Sequence, residues 1–351
     1  PGWSRSIYRR LVEPFLEKKM MRVGLLLVVV ALLAGSGGLV VTRQVPMKML
    51  PFDNKNELQL VIDMPEGTTL ETTDAVVRAF EAELFTVPEI EHFESYVGTY
   101  SPIDFNGLVR HYYFRRSGHQ AEIRIGLAPK RKRVQQSHEI GLRIREGLTG
   151  IADRYGANLA IVESPPGPPV IATVATEVYG PPDASYQELI DASYTVMDRM
   201  RGEPGVVDID HSAEAPHGRI DFVLDKEKAG LHGIRTDVVV KTLRIALAGG
   251  EPATVHKTGE RTPLTVRLQL PRVQRSGVTE LGGIKVKGMG GELVELDEIG
   301  AFRRVPNDQP IYHKNLERVV YVFAEMAGRA PAEAILDMSS HFKKNPLTRD
   351  I

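Results

Sequence analysis

From Val23 to Val41 the chain carries 19 residues without a charge, bounded by Arg22 and Arg43. At about 1.5 Å of rise per residue, a helix needs roughly 20 apolar residues to cross the hydrocarbon core. The run therefore predicts one membrane span. A signal peptide would have a shorter apolar stretch followed by its small-residue cleavage site, whereas Ala34 to Gly38 lie inside the run and Leu39, Val40 and Val41 continue it. Ahead of the span, Tyr8, Leu11, Val12, Phe15, Leu16 and Met20 recur at helical spacing among Arg9, Arg10, Glu13 and Glu17. That pattern predicts a helix lying on the membrane surface, with Pro14 as a weak point.

After Pro46 and Pro51 the period changes, and a strand, helix, strand pattern occurs three times. In the first copy Leu58, Leu60 and Ile62 alternate with polar or outward positions. Gly67 turns the chain, Thr68 and Glu71 have capping-box spacing, and Val77, Phe80 and Leu84 mark a helix face before an extended stretch from His92 to Thr99. The second copy alternates at Ile123, Ile125 and Leu127, continues through a helix faced by Ile140, Ile144, Leu148 and Ile151, and ends with Gly156 and a strand from Asn158 to Val162. The third copy runs from Val170 to Tyr179, through a helix opened by Ser185 and Glu188 and lined by Leu189, Val196 and Met200, to a strand from Val206 to Ile209.

Two such copies make a split βαβ, ferredoxin-like unit with two helices on one face of four antiparallel strands. Copies one and two complete one unit. Copy three is half of another, whose return is the strand Arg318 to Met326 and a helix from Pro331 to Met338, with the last strand missing. Between the halves, residues 219–309 read as an inserted α+β domain. Ile220, Phe222 and Leu224 alternate, Thr236 caps a helix with Val239, Leu243 and Leu247 on one side, and Leu264, Val266, Leu268 and Leu270 alternate again. Ile284 to Lys287, Gly288 to Gly291 and Glu292 to Leu296 read as a hairpin, not as a phosphate loop, because a strand and not a helix follows the glycines.

Charge orients the span. Six basic residues (Arg5, Arg9, Arg10, Lys18, Lys19, Arg22) against Glu13 and Glu17 precede it, which marks the cytoplasmic side and sends the rest of the chain to the other. The absence of cysteine fits an oxidising compartment. A net charge of −1 with 42% hydrophobic residues describes ordinary globular protein and gives no bulk attraction for nucleic acid. The cluster Lys130 to Arg133 has no aromatic neighbours to stack bases and reads as a solvated loop.

Catalytic chemistry is not visible. The ten histidines are scattered, no pair has helical metal-ligand spacing, and His111 with His119 lacks a third ligand. Asp208 and Asp210, on one face of a strand, with Asp221 and Asp225 elsewhere, make a weak calcium candidate. Aromatic residues say more: Phe93, Tyr96, Tyr100, Phe105, Tyr112, Tyr113 and Phe114 crowd one stretch of a chain that is only 7% aromatic. Either they form a core cluster, or they line a loop pocket for apolar ligands.

In this order, the Met49-Leu50-Pro51-Phe52-Asp53 stretch, Met64-Pro65-Glu66-Gly67-Thr68, Gly205-Val206-Val207-Asp208 and the segment from Asp221 to Gly233 resemble one family. It is the inner-membrane pump subunit of the resistance-nodulation-division superfamily, of the multidrug (hydrophobe/amphiphile efflux, acriflavine-resistance-B-like) type, in its C-terminal half. The resemblance covers nearly all the chain and implies an α+β fold. Residues 1–22 would lie on the cytoplasmic face and 23–42 would be the seventh span. Residues 58–163 would form the first porter subdomain, 170–215 with 317–342 the second, and 218–312 the docking domain, leaving 343–351 as a polar tail.

The resemblance further implies proton-driven export of amphiphilic compounds from a bacterial inner membrane, with residues after about 43 in the periplasm. The protein would act as a secondary transporter and not an enzyme, without a cofactor. It would work as a homotrimer in contact with membrane lipid, a periplasmic adaptor (membrane fusion protein) and an outer-membrane channel. Tyr96, Tyr100, Phe105, Tyr112 and Phe114 become candidates for a substrate pocket and switch loop, although Thr99 to Asn106 replaces the family's Gly-Phe-rich loop. Arg303, Arg304, Asn307 and Asp308 become candidates for docking to the channel or adaptor. The proton-relay residues would lie in other membrane helices of a longer protein. A metal-exporting relative and a single-span periplasmic sensor or binding module are the competing expectations.

Overall fold

The computed structural model describes residues 2–45, 53–164, 167 and 170–347, so the landmark stretch at residues 49–52 lies outside the described residues. Two helices open the chain, α1 (Gly2–Glu17) and α2 (Lys19–Val41), separated by an extended Lys18. The helix α1 continues through position 14, where proline was expected to weaken it. In α2 no residue is buried, and its length and composition suit a membrane span.

The chain then divides into two compact units, residues 1–215 with 310–351, and residues 216–309. The first unit contains β1 (Glu57–Asp63), α3 (Leu70–Leu84), β2 (Ile90–Val97), the short α4 (Phe105–Val109), β3 (Gln120–Leu127), α5 (Ser137–Tyr155) and β4 (Asn158–Val162). The strands form one antiparallel sheet in the order β2-β3-β1-β4. Strand alternation sends Leu58, Leu60, Ile62, Ile123 and Ile125 onto the helices, where Val77, Phe80, Leu84, Ile140 and Leu148 complete a core. Gly156 ends α5 in the left-handed conformation that its lack of a Cβ permits.

Next come β5 (Val174–Val178), α6 (Tyr186–Arg201) and β6 (Val206–His211). The second unit then supplies β7 (Gly218–Leu224), α7 (Lys226–Leu231), α8 (Thr236–Ala248), β8 (Gly250–Val255), β9 (Leu264–Leu268), α9 (Val278–Gly282), β10 (Lys285–Lys287), β11 (Leu293–Glu295), α10 (Leu296–Ile299) and β12 (Gly300–Pro306). Its core gathers Ala229, Ile234, Val239, Val286, Val294, Leu296 and Ile299, and β7 pairs with β12. The chain returns to the first unit through the two-residue strands β13 (His313–Lys314) and β14 (Glu317–Arg318), then β15 (Val320–Met326) and α11 (Pro331–Lys344). A three-stranded sheet in the order β5-β15-β6 packs its inner face on α6 and α11 through Val174, Val196, Met200, Val322 and Met338.

Several local expectations move. The cap of α3 is Thr69, whose side chain accepts from Thr72 N, and not Thr68. Thr68 instead closes the turn at Gly67, where its backbone N–H donates to Pro65 O at 3.0 Å. Thr236 is the first residue of α8 and not its cap, since the extended residue before the helix is Arg235. The capping box of Ser185 and Glu188 is present as expected. The helix expected over residues 331–338 runs to Lys344, so Lys343 belongs to it and not to a tail.

Candidate functional site

The aromatic residues flagged in the sequence do not form one core cluster. Phe93 turns toward the core and meets Phe85 edge-on at 4.9 Å between ring centroids. The connection between β2 and β3 carries the others on a folded loop. Asp104 caps α4 by accepting from Gly107 N at 2.6 Å, and Arg124 reaches from β3 to Asp104 at 2.8 Å, which pins the loop to the sheet. His111, in the left-handed region at φ 59°, reverses the chain into the 3-10 turn Tyr112–Phe114.

On this frame Phe105 is 66% exposed and Phe114 73%, with Ile103 and Leu108 also exposed beside them in sequence. These side chains are held out by structured backbone. Tyr113 and Phe114 lie 4.4 Å apart. Tyr112 is half-buried, and burial pushes its hydroxyl pKa up. Tyr100 lies under the Arg116 guanidinium at 5.0 Å. Tyr96 sits on β2, where its hydroxyl donates to Glu94 at 2.6 Å, and that bond raises its pKa. Tyr96 is therefore part of a strand, while Tyr100, Phe105, Tyr112 and Phe114 belong to the loop.

The outer face of the first sheet leads into a charged seam. Alternation places Gln59, Asp63 and Glu122 away from the helices. Arg115 returns from the loop to this face, donating to Asp63 at 2.9 Å, to Ile62 O at 3.0 Å and to Ala121 O at 3.3 Å, with its Nε 3.3 Å from the fully buried Glu122. Glu122 also accepts from Gln59 at 3.0 Å and from Ser101 N at 3.1 Å. Arg110, at the end of α4, pairs with Glu325 of β15 at 2.7 Å. Thr173 donates to the same carboxylate. Burial lowers the Arg110 pKa, and the Glu325 carboxylate overrides it, leaving the guanidinium above its ordinary value.

Sequence reasoning missed two aromatic residues here. Tyr321 and Phe323 share the outer face of β15 with Glu325 and stack at 5.7 Å and 6°. The signal was present in the order Val320-Tyr321-Val322-Phe323-Ala324-Glu325-Met326, where every second residue is buried and the intervening ones are aromatic or acidic. The pair Asp208 and Asp210 also behaves differently from the expected common face. Phe323 faces Asp210 and Glu325 faces Val207, so Asp208 and Ile209 together oppose Ala324 in a β-bulge. Among the described residues no group of metal-ligating side chains is assembled.

In the second unit, Arg303 and Arg304 are exposed on β12 opposite Asp221 and Ile220. Arg219 gathers the following two candidates, with Asn307 Oδ1 and Asp308 Oδ2 each at 3.3 Å, and Asn307 N donates to His217 O at 2.9 Å. The four candidates thus occupy one strand and the segment directly after it. This unit also holds a cavity of about 890 Å³, whose lining includes Ile245, Leu268, Leu270 and Ile284 and none of those four residues.

The sequence matches the AcrB/AcrD/AcrF family profile over residues 2–350. No curated protein sequence matches the chain. Two crystal forms of a heavy metal efflux pump share its fold, each with a TM-score of 0.68. One is 16% identical and covers 92% of this chain and 33% of its own; the other is 17% identical and covers 100% and 35%. The chain therefore spans about a third of the length of these relatives, and at such identity the likeness concerns the fold alone.

Proposed function

The chain belongs to the AcrB/AcrD/AcrF family of the resistance-nodulation-division superfamily, and we propose that it is the substrate-handling and docking part of a proton-driven efflux pump in a bacterial inner membrane. In this reading α2 is one span of the pump and the residues after about 43 are periplasmic. The two sheets of the first unit are its porter subdomains, and residues 218–312 form the docking domain. Arg303, Arg304, Asn307 and Asp308 then face an outer-membrane channel or a periplasmic adaptor, and the working assembly is a homotrimer.

The cargo we infer is amphiphilic. The observation that carries this reading is the capped loop that holds Phe105 and Phe114 largely exposed and also carries Tyr100 and Arg116. Apolar rings and polar groups on one fixed loop suit a ligand with one apolar and one polar end. Tyr321 and Phe323, on a face shared with Glu325, extend the same chemistry. A second reading, a cationic cargo, draws on the excess of carboxyls along the seam, where Asp63, Glu66, Glu122, Asp208, Asp210 and Glu325 outnumber Arg110, Arg115 and Arg145 without forming a metal-binding group among the described residues. The pump that shares the fold is a heavy metal efflux pump, which fits this reading.

Titration of the chain with a fluorescent amphiphilic dye separates the readings. Saturable binding weakened at least several-fold by Phe105→Ala with Phe114→Ala supports the first. Binding that ignores both substitutions, together with saturable uptake of a divalent metal, supports the second.

A further inference from the structure

The bulge on β6 has a geometry that its strand does not require. Asp208 adopts φ 52°, in the left-handed region, where residues other than glycine, asparagine and aspartate are uncommon. The consequence is a re-aimed carboxylate. Asp208 Oδ2 accepts from Ile161 N of β4 at 3.0 Å, and both its oxygens take the two Nη groups of Arg145 on α5. The Asp208 side chain is 5% exposed and Arg145 20%. One residue of the second sheet thereby holds an edge strand and a helix of the first. Arg110, at the end of α4, and Glu325, on the outer face of β15, make a second tie.

Resting on the porter reading above, we propose that Asp208 is a positioning residue that latches the two porter subdomains at the β4 to β6 seam, with Arg110 and Glu325 as a second clasp, and so sets how far the space between their outer faces opens. At β4 the seam parts when the bidentate pair and the Ile161 bond break together, and full separation also breaks the Arg110 pair with Glu325 and the bond from Ala215 N to Glu66.

Asp210, two residues on, gives the latch a dependence on pH. Burial pushes its carboxyl up to about 7, and the neighbouring Asp63 carboxylate adds to the effect. The groups that face it are Asp63 on β1, Glu66 in the turn after β1, Arg115 from the loop before β3, and the His211 N–H, which donates to it at 2.8 Å. If the seam opens, water reaches Asp210 and its pKa falls toward the ordinary carboxylate value near 4. The closed seam then holds the proton more tightly. It gains on the open form as pH falls from about 7 toward 4, by at most about tenfold per pH unit, and loses that gain as pH rises through 7.

The absence of cysteine allows a direct test on the full chain in bilayer nanodiscs. Thr149→Cys on α5 and Thr195→Cys on α6, both exposed, carry spin labels whose separation is read by pulsed electron resonance at pH 5.5 and pH 8. The latch predicts a narrow distribution at pH 5.5 that gains a longer component at pH 8. Asp208→Asn, which tolerates the same backbone, gains that component at both pH values. Asp210→Asn keeps the narrow distribution and loses the pH response. Should Asp208→Asn fail to fold, Asp208→Gly keeps the backbone conformation and Arg145→Gln breaks the pair from the other side. Unchanged distributions in these variants overturn the latch, and a pH response that survives Asp210→Asn overturns the role of that carboxyl. The readout is independent of cargo, so loss of dye binding with an intact latch counts against the porter reading alone.

Discussion

Arg115→Met isolates the electrostatic hub of the first sheet. The guanidinium is 12% exposed and touches two carboxylates, one of them, Glu122, at 0% exposure. Methionine fills part of the volume but removes the positive charge that lies 3.3 Å from Glu122. Breaking a buried pair from one side costs about 3–5 kcal/mol, because the remaining charge is left in a poorly solvated site. Gln59 and Ser101 N still donate to Glu122, so the lower half of that range is expected. At about 1.4 kcal/mol per tenfold, the ratio of folded to unfolded protein drops by roughly two orders of magnitude. Urea unfolding at pH 7, followed by circular dichroism, measures it. The double variant Arg115→Met with Glu122→Gln removes both charges and is expected to recover most of the loss. A single variant within about 0.5 kcal/mol of the parent, or a double variant no better than the single, would refute the reasoning.

Other outcomes follow from packing, capping and titration. Phe80→Ala empties a fully buried site and is expected to cost about 3–5 kcal/mol in the same unfolding experiment, whereas Phe85→Ala, at 78% exposure, costs under about 1 kcal/mol. Thr69→Ala removes the cap of α3 for about 1 kcal/mol, while Thr68→Ala changes stability by less than about 0.5 kcal/mol. Asp337 on α11 takes Arg43, just past the end of α2, through two bonds at 2.6 and 3.0 Å and also takes Arg329, and these hydrogen bonds hold its pKa down to about 2. A folded pKa below the unfolded one stabilises above pH 4 and is lost as pH falls toward 2. A spin label at Gln44 should therefore gain mobility over that interval and stay constant from pH 5 to 8.

The parts of the fold that follow from period and punctuation were legible in the sequence. Alternation at Leu58, Leu60 and Ile62 and at Ile123 and Ile125, with Gly156 as a stop, leads directly to the four-stranded sheet and its two helices. Caps were legible only where the competing hydrogen bond was absent. The turn before Ser185 closes through Ala184 N and leaves the Ser185 hydroxyl for Glu188 N, but the turn at Gly67 takes both the N–H and the hydroxyl of Thr68 and moves the helix start by one residue. Bulges leave almost no trace: Asp208 reads as a strand residue until its ladder partner and backbone angle are known. The seam was hidden for a related reason. Its pairs join residues far apart in the chain, such as Arg110 with Glu325, and pattern along one segment cannot announce a partner on another. The loop aromatics were conspicuous, yet only the folded loop separates Phe93, which packs inward, from Phe105 and Phe114, which do not.

The proposed cargo is amphiphilic. The most direct measurement is efflux of an amphiphilic dye from cells that lack the parent gene and are complemented with either the parent gene or its Phe105→Ala, Phe114→Ala form. Restored, proton-gradient-dependent efflux is expected with the parent gene, and at least a several-fold slower rate with the substituted form at equal membrane abundance. No dye efflux from the parent gene, alongside restored tolerance to a divalent metal, would contradict an amphiphilic cargo.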